Sequence, residues 1–451
     1  MVLKIHGLLF LNLLTLFGLY GHRDKLSGLR FSTSVAACYS ILTLKFNRTP
    51  RRKLTSTRSH EKSKLGSFSW HGTWRSTFLN LTQDQISQVR CENVFSDVLY
   101  RPFLCTYTPL SPYTTNIPRA NAITRLENLS AAEFLESWSN KPFILTKTVL
   151  EWPVYKVWDM NSLLEKYGDV LFRAESVDWS LSTYVEYMRN NSDESPLYLF
   201  DRSFVSKMNL NTNNKQQPLA YWSPECLGKD LFDVLGDKRP DSKWLIIGPA
   251  RSGSTYHKDP NATSAWNAVL RGSKYWIMFP SSPSSRPPPG VYVSEDQSEV
   301  TSPLSIAEWL LGFHAEARKT PGCVEGICAE GEVLHVPSGW WHLVVNLDAS
   351  IAITQNFVPR SHLTNVLAFL KDNISDQVSG FRKDVTDPYS LFVEKMHSQH
   401  SDLLEKAFAE LERKREGRKR KWDAAVSNTE GETGGPGFSF GFGDESDAEV
   451  P

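Results

Sequence analysis

His257 and Asp259 lie two positions apart in HKDPNATSAWNAVL, and Lys274 follows in RGSKYWIMF, all within segments otherwise rich in apolar residues. Burying such groups unpaired costs on the order of several kcal/mol, so each needs a partner. Side chains two apart on a strand project to one face, which aims His257 and Asp259 at a common point. Two ligands on one strand hold a metal weakly. His342, presented at a strand start by the Pro-Ser-Gly turn of VPSGWWHLVVNL, is the best third. Two imidazoles and one carboxylate on one face of an ion form the ligand set of oxygen-activating non-haem Fe(II) and leave the other positions open. The bland alternative for any single His is a hydrogen-bonded core residue.

Lys274 opens the apolar run YWIMF with no acid nearby in the sequence. A buried ammonium requires an anion, and a bound dicarboxylate would supply it. Thr354 and Asn356 sit two apart on one face of IAITQNF, whose other face carries Ile351, Ile353 and Phe357. Asn267 in SAWNAVL and Tyr198 in SPLYLFD add an amide and a phenol. Together these groups suit the carboxylates and keto group of 2-oxoglutarate. Asn267 and Asn356 also have a structural reading, as partners of sheet backbone.

The elements that must hold these residues are short strands. WLIIG, KYWIMF, EVLHV, HLVVNL and IAITQNF are divided by Gly, Pro and Asn, without helices of 10–15 residues between them. That pattern predicts a mainly β fold of antiparallel sheets, a sandwich or jelly roll, with flanking helices rather than a parallel α/β fold. Helices are expected near 131–135, 161–166 and 179–188. The segment 281–322 reads as a long insertion carrying one amphipathic helix, AEWLLGFHAEA. Asp387-Pro388 supplies a cap and first position for a C-terminal helix, where Leu403, Leu404, Ala407, Phe408 and Leu411 form a packing stripe. RKREGRKRK at 413–421 is either a solvated helix end or an import or RNA-contact patch.

The chain has 451 residues and a formal net charge of zero, which gives no reason to expect nucleic-acid or membrane binding overall. Six scattered cysteines lack the spacing of a zinc site and read as reduced thiols. Leu8–Tyr20 is an apolar run too short to cross a bilayer at about 20 residues, and no small-x-small cleavage site follows it. A sequon at Asn261 would place a glycan beside Asp259. These features predict a cytoplasmic or nuclear protein.

GPARSGSTYHKDPNATSAWNAVLRGSKYWIMFP and GEVLHVPSGWWHLVVNLDASIAITQNF strongly resemble the JmjC (Jumonji C) oxygenases, and most of all the bifunctional arginine demethylase and lysyl-hydroxylase subgroup. The resemblance runs from about Ile117 to Phe357. It implies a double-stranded β-helix, cupin-like core with helical N- and C-terminal additions. Its motif makes His257, Asp259 and His342 the Fe(II) ligands, and Tyr198, Asn267, Lys274, Thr354 and Asn356 the 2-oxoglutarate residues, with O2 as co-substrate. It further implies nuclear action on Lys or methylated Arg and Lys side chains of proteins. On this reading 91–373 is the oxygenase domain, 386–422 a helix ending in the basic patch, and 423–451 a disordered acidic, Gly-rich tail. Residues 1–80 loosely resemble an F-box with a basic linker. This raises a rival reading, in which the chain is a substrate adaptor bound to a ubiquitin ligase and the JmjC domain is a binding platform. A cupin isomerase is the weaker third reading, because it leaves Lys274 and Thr354 without a role.

Overall fold

The computed structural model describes residues 104–213, 216–281, 286–294, 299–372 and 377–430. The F-box-like segment, the basic linker and the acidic tail beyond residue 430 lie outside the described residues. In chain order the strands are β1 (Thr124–Leu126), β2 (Phe143–Leu145), β3 (Leu171–Ala174), β4 (Val177–Ser180), β5 (Leu199–Asp201), β6 (Lys243–Gly248), β7 (Gly253–His257) and β8 (Ser264–Arg271). They continue with β9 (Ser273–Phe279), β10 (Tyr292–Val293), β11 (Val300–Thr301), β12 (Val324–Ala329), β13 (Val333–Val336), β14 (Trp341–Asn346) and β15 (Ser350–Phe357). One sheet has the order β1-β2-β13-β8-β15-β6-β5-β3-β4 and a second β12-β9-β14-β7, with β10-β11 a separate hairpin. Every pairing in the two large sheets is antiparallel except β1 with β2.

Alternation along the strands divides the core into layers. Leu245, Ile247, Trp266, Ala268, Leu270, Ile351, Ile353 and Phe357 face away from the smaller sheet and pack on the helices Met160–Tyr167 (α1) and Leu181–Asn190 (α2). Tyr275, Ile277, Phe279, Leu343 and Val345 leave the smaller sheet on its outer side and meet Trp309 and Leu310 of Ile306–Ala317 (α3). Between the sheets stand Ala265, Val269, Leu334 and Val336 from one side and Trp276, Met278, Cys328 and Val344 from the other. Strands covered on both faces explain why KYWIMF and HLVVNL are almost continuously apolar. The polar residues within them all belong to the interior side.

The C-terminal helix Pro388–Glu430 (α5) begins as expected, with the Ser390 backbone N–H donating to Asp387 Oδ1 at 2.9 Å. Its Leu404 and Ala407 pack with Phe392 and Met396 on Leu363–Asp372 (α4) and on Leu231, Phe232 and Leu235. The helix runs past Trp422 to Glu430, into the stretch expected to lack structure. A second difference lies at Trp179. It belongs to strand β4, opposite Phe172, because Ser180 Oγ accepts the Thr183 N–H and caps a helix that starts only at Leu181. Cys105, Cys226, Cys323 and Cys328 are buried thiols that form no disulfide, and the last two belong to core layers on opposite sides of the smaller sheet.

Candidate metal and oxo-acid site

β7 and β14 pair with His257 opposite His342, and the register slips by one residue between His342 and Val344. Ser254 lies opposite interior-facing Val344, so plain alternation would send Tyr256 inward and His257 outward. The extra residue reverses the phase: Tyr256 joins the outer layer and His257 meets His342 on the inner side. The two imidazole centroids are 4.2 Å apart. His257 Nδ1–H donates to the Thr255 carbonyl at 2.7 Å, and His342 Nδ1–H to the Trp340 carbonyl at 3.1 Å. A carbonyl only accepts, so these bonds place the proton on Nδ1 and leave each Nε2 lone pair free to bind a metal. Burial, reinforced by the adjacent His257, pushes the His342 pKa well below its ordinary value, so it stays neutral.

Asp259 is not on the strand with His257. β7 ends at His257, and Asp259 precedes the short turn Pro260–Ala262, in which Asn261 and Ala262 take positive φ values of 55° and 52°. The two-residue projection argument therefore fails as stated, since Pro260 cannot donate to a sheet ladder. The turn delivers the carboxylate to the same region instead. Asp259 Oδ2 is buried and makes no hydrogen bond. Burial raises the carboxyl pKa, against the pull of His257 and a hydrogen bond from Asn356. Among the described residues no group of three or more His, Cys, Asp or Glu side chains is placed to hold a metal ion. The donor chemistry nonetheless fits a divalent ion: two Nε2 lone pairs and an orphaned carboxylate oxygen, all without protein partners. Asn261 itself is buried. Its Nδ2 donates to the Ser379 carbonyl at 2.9 Å and its Oδ1 accepts the Ser379 N–H at 3.1 Å, so the sequon side chain is not available in the folded chain.

At the other end of β14, Lys274 is fully buried. Its Nζ donates to Asn346 Oδ1 at 2.7 Å, Tyr198 Oη at 2.9 Å and Ser350 Oγ at 3.1 Å, all neutral groups. Burial lowers its pKa to about 7. The same cause holds the Tyr198 phenol far above its ordinary value. Asn267 lies directly across from Thr354 on the interior face, and its Oδ1 is buried without a partner. The Thr354 hydroxyl donates to the Trp266 carbonyl at 2.8 Å. Asn356 Nδ2 donates to Thr263 Oγ1 at 2.9 Å, which ties it to the Asp259 turn rather than to the Lys274 end. The sequence reading passed over Asn346 and Ser350. Asn346 was legible, as it shares the inward phase of His342 and Val344 on one strand. Ser350 carried no signal.

Residues 131–362 match the model of the cupin-like domain family. The chain is 39% identical over 392 residues to the arginine-specific demethylase JMJ22 of Arabidopsis thaliana, covering 84% of this chain and 74% of that protein. It is 32% identical over 262 residues to the bifunctional arginine demethylase and lysyl-hydroxylase psr-1 of Caenorhabditis elegans, covering 55% of this chain and 62% of the other. To the human 2-oxoglutarate and iron-dependent oxygenase JMJD4 it is 30% identical over 251 residues, 51% of this chain and 57% of that one. With the antiparallel double sheet and its inward-facing imidazole pair, these matches settle the family: the chain belongs to the cupin-like domain family and, within it, to the JmjC oxygenases.

Proposed function

We propose that this chain is an Fe(II)- and 2-oxoglutarate-dependent protein oxygenase that hydroxylates lysine side chains or demethylates N-methylated arginine or lysine. The observation that carries this reading is the Lys274 ammonium, buried among neutral acceptors only in the same interior as two imidazoles with free Nε2 atoms. An internal cation of this kind is costly to the fold unless an anion arrives, and 2-oxoglutarate carries one at its far end.

His257, His342 and Asp259 would hold the iron. Lys274, with the Tyr198 hydroxyl, would take the distal carboxylate, and the Asn267 amide, whose Oδ1 has no partner, would orient the rest of the oxo-acid. Bound Fe(II) would supply the oxidative chemistry: with dioxygen, 2-oxoglutarate is split to succinate and carbon dioxide and one oxygen atom enters a substrate C–H bond. On a lysine side chain the product is hydroxylysine. On an N-methyl group the N-hydroxymethyl product releases formaldehyde, so the carbon presented decides the outcome. Val269, Trp276 and Val344 line the interior and exclude water. Nuclear protein substrates are part of the proposal, as is contact of 413–421 with RNA. The ligase-adaptor reading rests on residues 1–80, which lie outside the described residues.

The test is incubation of the full chain with Fe(II), ascorbate, 2-oxoglutarate and basic or methylated peptides. Succinate formation that needs both iron and peptide, with a peptide gain of one oxygen or loss of a methyl, is expected. Absence of succinate under all these conditions would sink the reading.

A further inference from the structure

The Lys274 cradle is itself held by a turn. Asn346 is fully buried, and its Nδ2 donates to Ser252 Oγ at 2.9 Å and towards the Pro249 carbonyl at 3.4 Å. Ser252 Oγ in turn donates to the Pro249 carbonyl at 2.7 Å, which commits its proton and leaves its lone pairs for the amide. Both Nδ2 protons therefore have acceptors on the Pro249–Ser252 turn, and Oδ1 is left facing Lys274. The backbone repeats the clamp, with Asn346 N–H donating to the Ser252 carbonyl at 2.8 Å and Arg251 N–H to the Asn346 carbonyl at 2.8 Å. Gly248 leaves the room this needs: a Cβ there would collide with Ser252 Oγ and come within 2.8 Å of Asn346 Nδ2 and of Tyr198.

An ammonium has three protons, and here all three go to uncharged oxygens. A carboxylate in place of the Asn346 amide would neutralise the charge internally, and an apolar residue would leave a proton unpaired. The amide does neither. It fixes the direction of the ammonium while leaving its charge uncompensated. The hydroxyl protons of Tyr198 and Ser350 remain free to turn toward an incoming anion as the Lys274 proton shared with one of them shifts to it.

We propose that Asn346, locked by the Pro249–Ser252 turn, is a positioning residue of the oxo-acid site, whose neutrality reserves the Lys274 charge for the distal carboxylate of the co-substrate. This rests on the oxygenase reading above. Lys274 is faced by Tyr198 from the loop just before β5, Asn346 from β14, Ser350 from β15 and Cys328 from β12. Burial holds Tyr198 and Cys328 protonated through the neutral range, so Lys274 is the group among them that titrates near pH 7.

The experiment is calorimetric titration of 2-oxoglutarate into the full chain loaded with Mn(II), for wild type, Asn346→Asp and Ser252→Ala, at several pH values. In the wild type, affinity should fall as pH rises past about 7, where the empty site loses its proton. Asn346→Asp should weaken binding at neutral pH by about tenfold or more, since the new carboxylate competes for the ammonium. It should also move the pH fall-off upward, because an internal anion raises the Lys274 pKa. Mn(II) affinity should be unchanged, and with Fe(II) the loss should fall on KM for 2-oxoglutarate more than on kcat. Ser252→Ala frees the amide without touching Lys274 and should weaken binding in the same direction by a smaller factor. If circular dichroism shows Asn346→Asp unfolded, Ser252→Ala decides alone. Unchanged affinity and pH profile in the folded variants would overturn the role of Asn346. Failure of the wild type to bind 2-oxoglutarate would overturn the oxygenase reading, and this inference with it.

Discussion

At the scale of single residues, the site combines groups that the fold would be more stable without. His257 is exposed and Asp259 sits in a turn outside the strands, so neither supports the core. His257→Ala or Asp259→Ala should cut succinate formation at least a hundredfold while the circular dichroism spectrum stays that of the wild type. Lys274 is the reverse case, a charge whose burial costs stability. Its folded pKa of about 7 lies below the ordinary 10.5. Between those values the unfolded chain holds a proton that the folded chain has released, so stability rises with pH across that window and the cost is complete below it. Lys274→Met should therefore raise the melting temperature of the ligand-free chain by about 4 °C at pH 7, an advantage that shrinks toward pH 10 in thermal melts. The same variant should no longer bind 2-oxoglutarate. This residue was legible in the sequence because an uncompensated Lys on an apolar strand is a conflict that only a ligand resolves. Asn356 was less legible. Its amide donates to Thr263 beside the Asp259 turn, a contact between distant segments that one-dimensional spacing does not reveal.

At the scale of elements, short apolar runs bounded by Gly, Pro or Asn located β6, β9, β13, β14 and β15, because each is buried on both faces. Two features escaped this pattern. One is the end of β7 at His257, set by Pro260 two residues beyond Lys258. The other is the slipped register that turns His257 inward, which exists only in the pairing of two strands. Gly253 lies in this tight crossing, and a Cβ there would drive into the Val344 carbonyl. Gly253→Ala should destabilise the fold by about 2 kcal/mol and weaken metal binding by displacing β7 from β14. Chemical denaturation and Mn(II) titration would check both parts. Trp179 shows the limit of helical pattern in the other direction, since a hairpin partner and a Ser180 cap override it.

At the scale of the whole chain, the described residues form two facing sheets with helices on both outer sides, and α5 packs on α4 and on Leu231, Phe232 and Leu235. Leu404→Ala should cost about 2–4 kcal/mol of stability and leave succinate formation per folded molecule unchanged, as measured at a temperature where the variant is fully folded. Composition and zero net charge indicated a large neutral globular chain but carried no trace of the site, which depends on β7, β8, β9, β14 and β15 and on the segments carrying Tyr198 and Asp259. The central claim is that one ferrous ion and one oxo-acid share the interior between the sheets. Anaerobic addition of Fe(II) and then 2-oxoglutarate to the wild-type chain tests it directly. The account predicts a visible charge-transfer absorption that saturates at about one equivalent of each, lost in His342→Ala and in Lys274→Met at the same concentrations. No band in the wild type, or an undiminished band in His342→Ala, would contradict it.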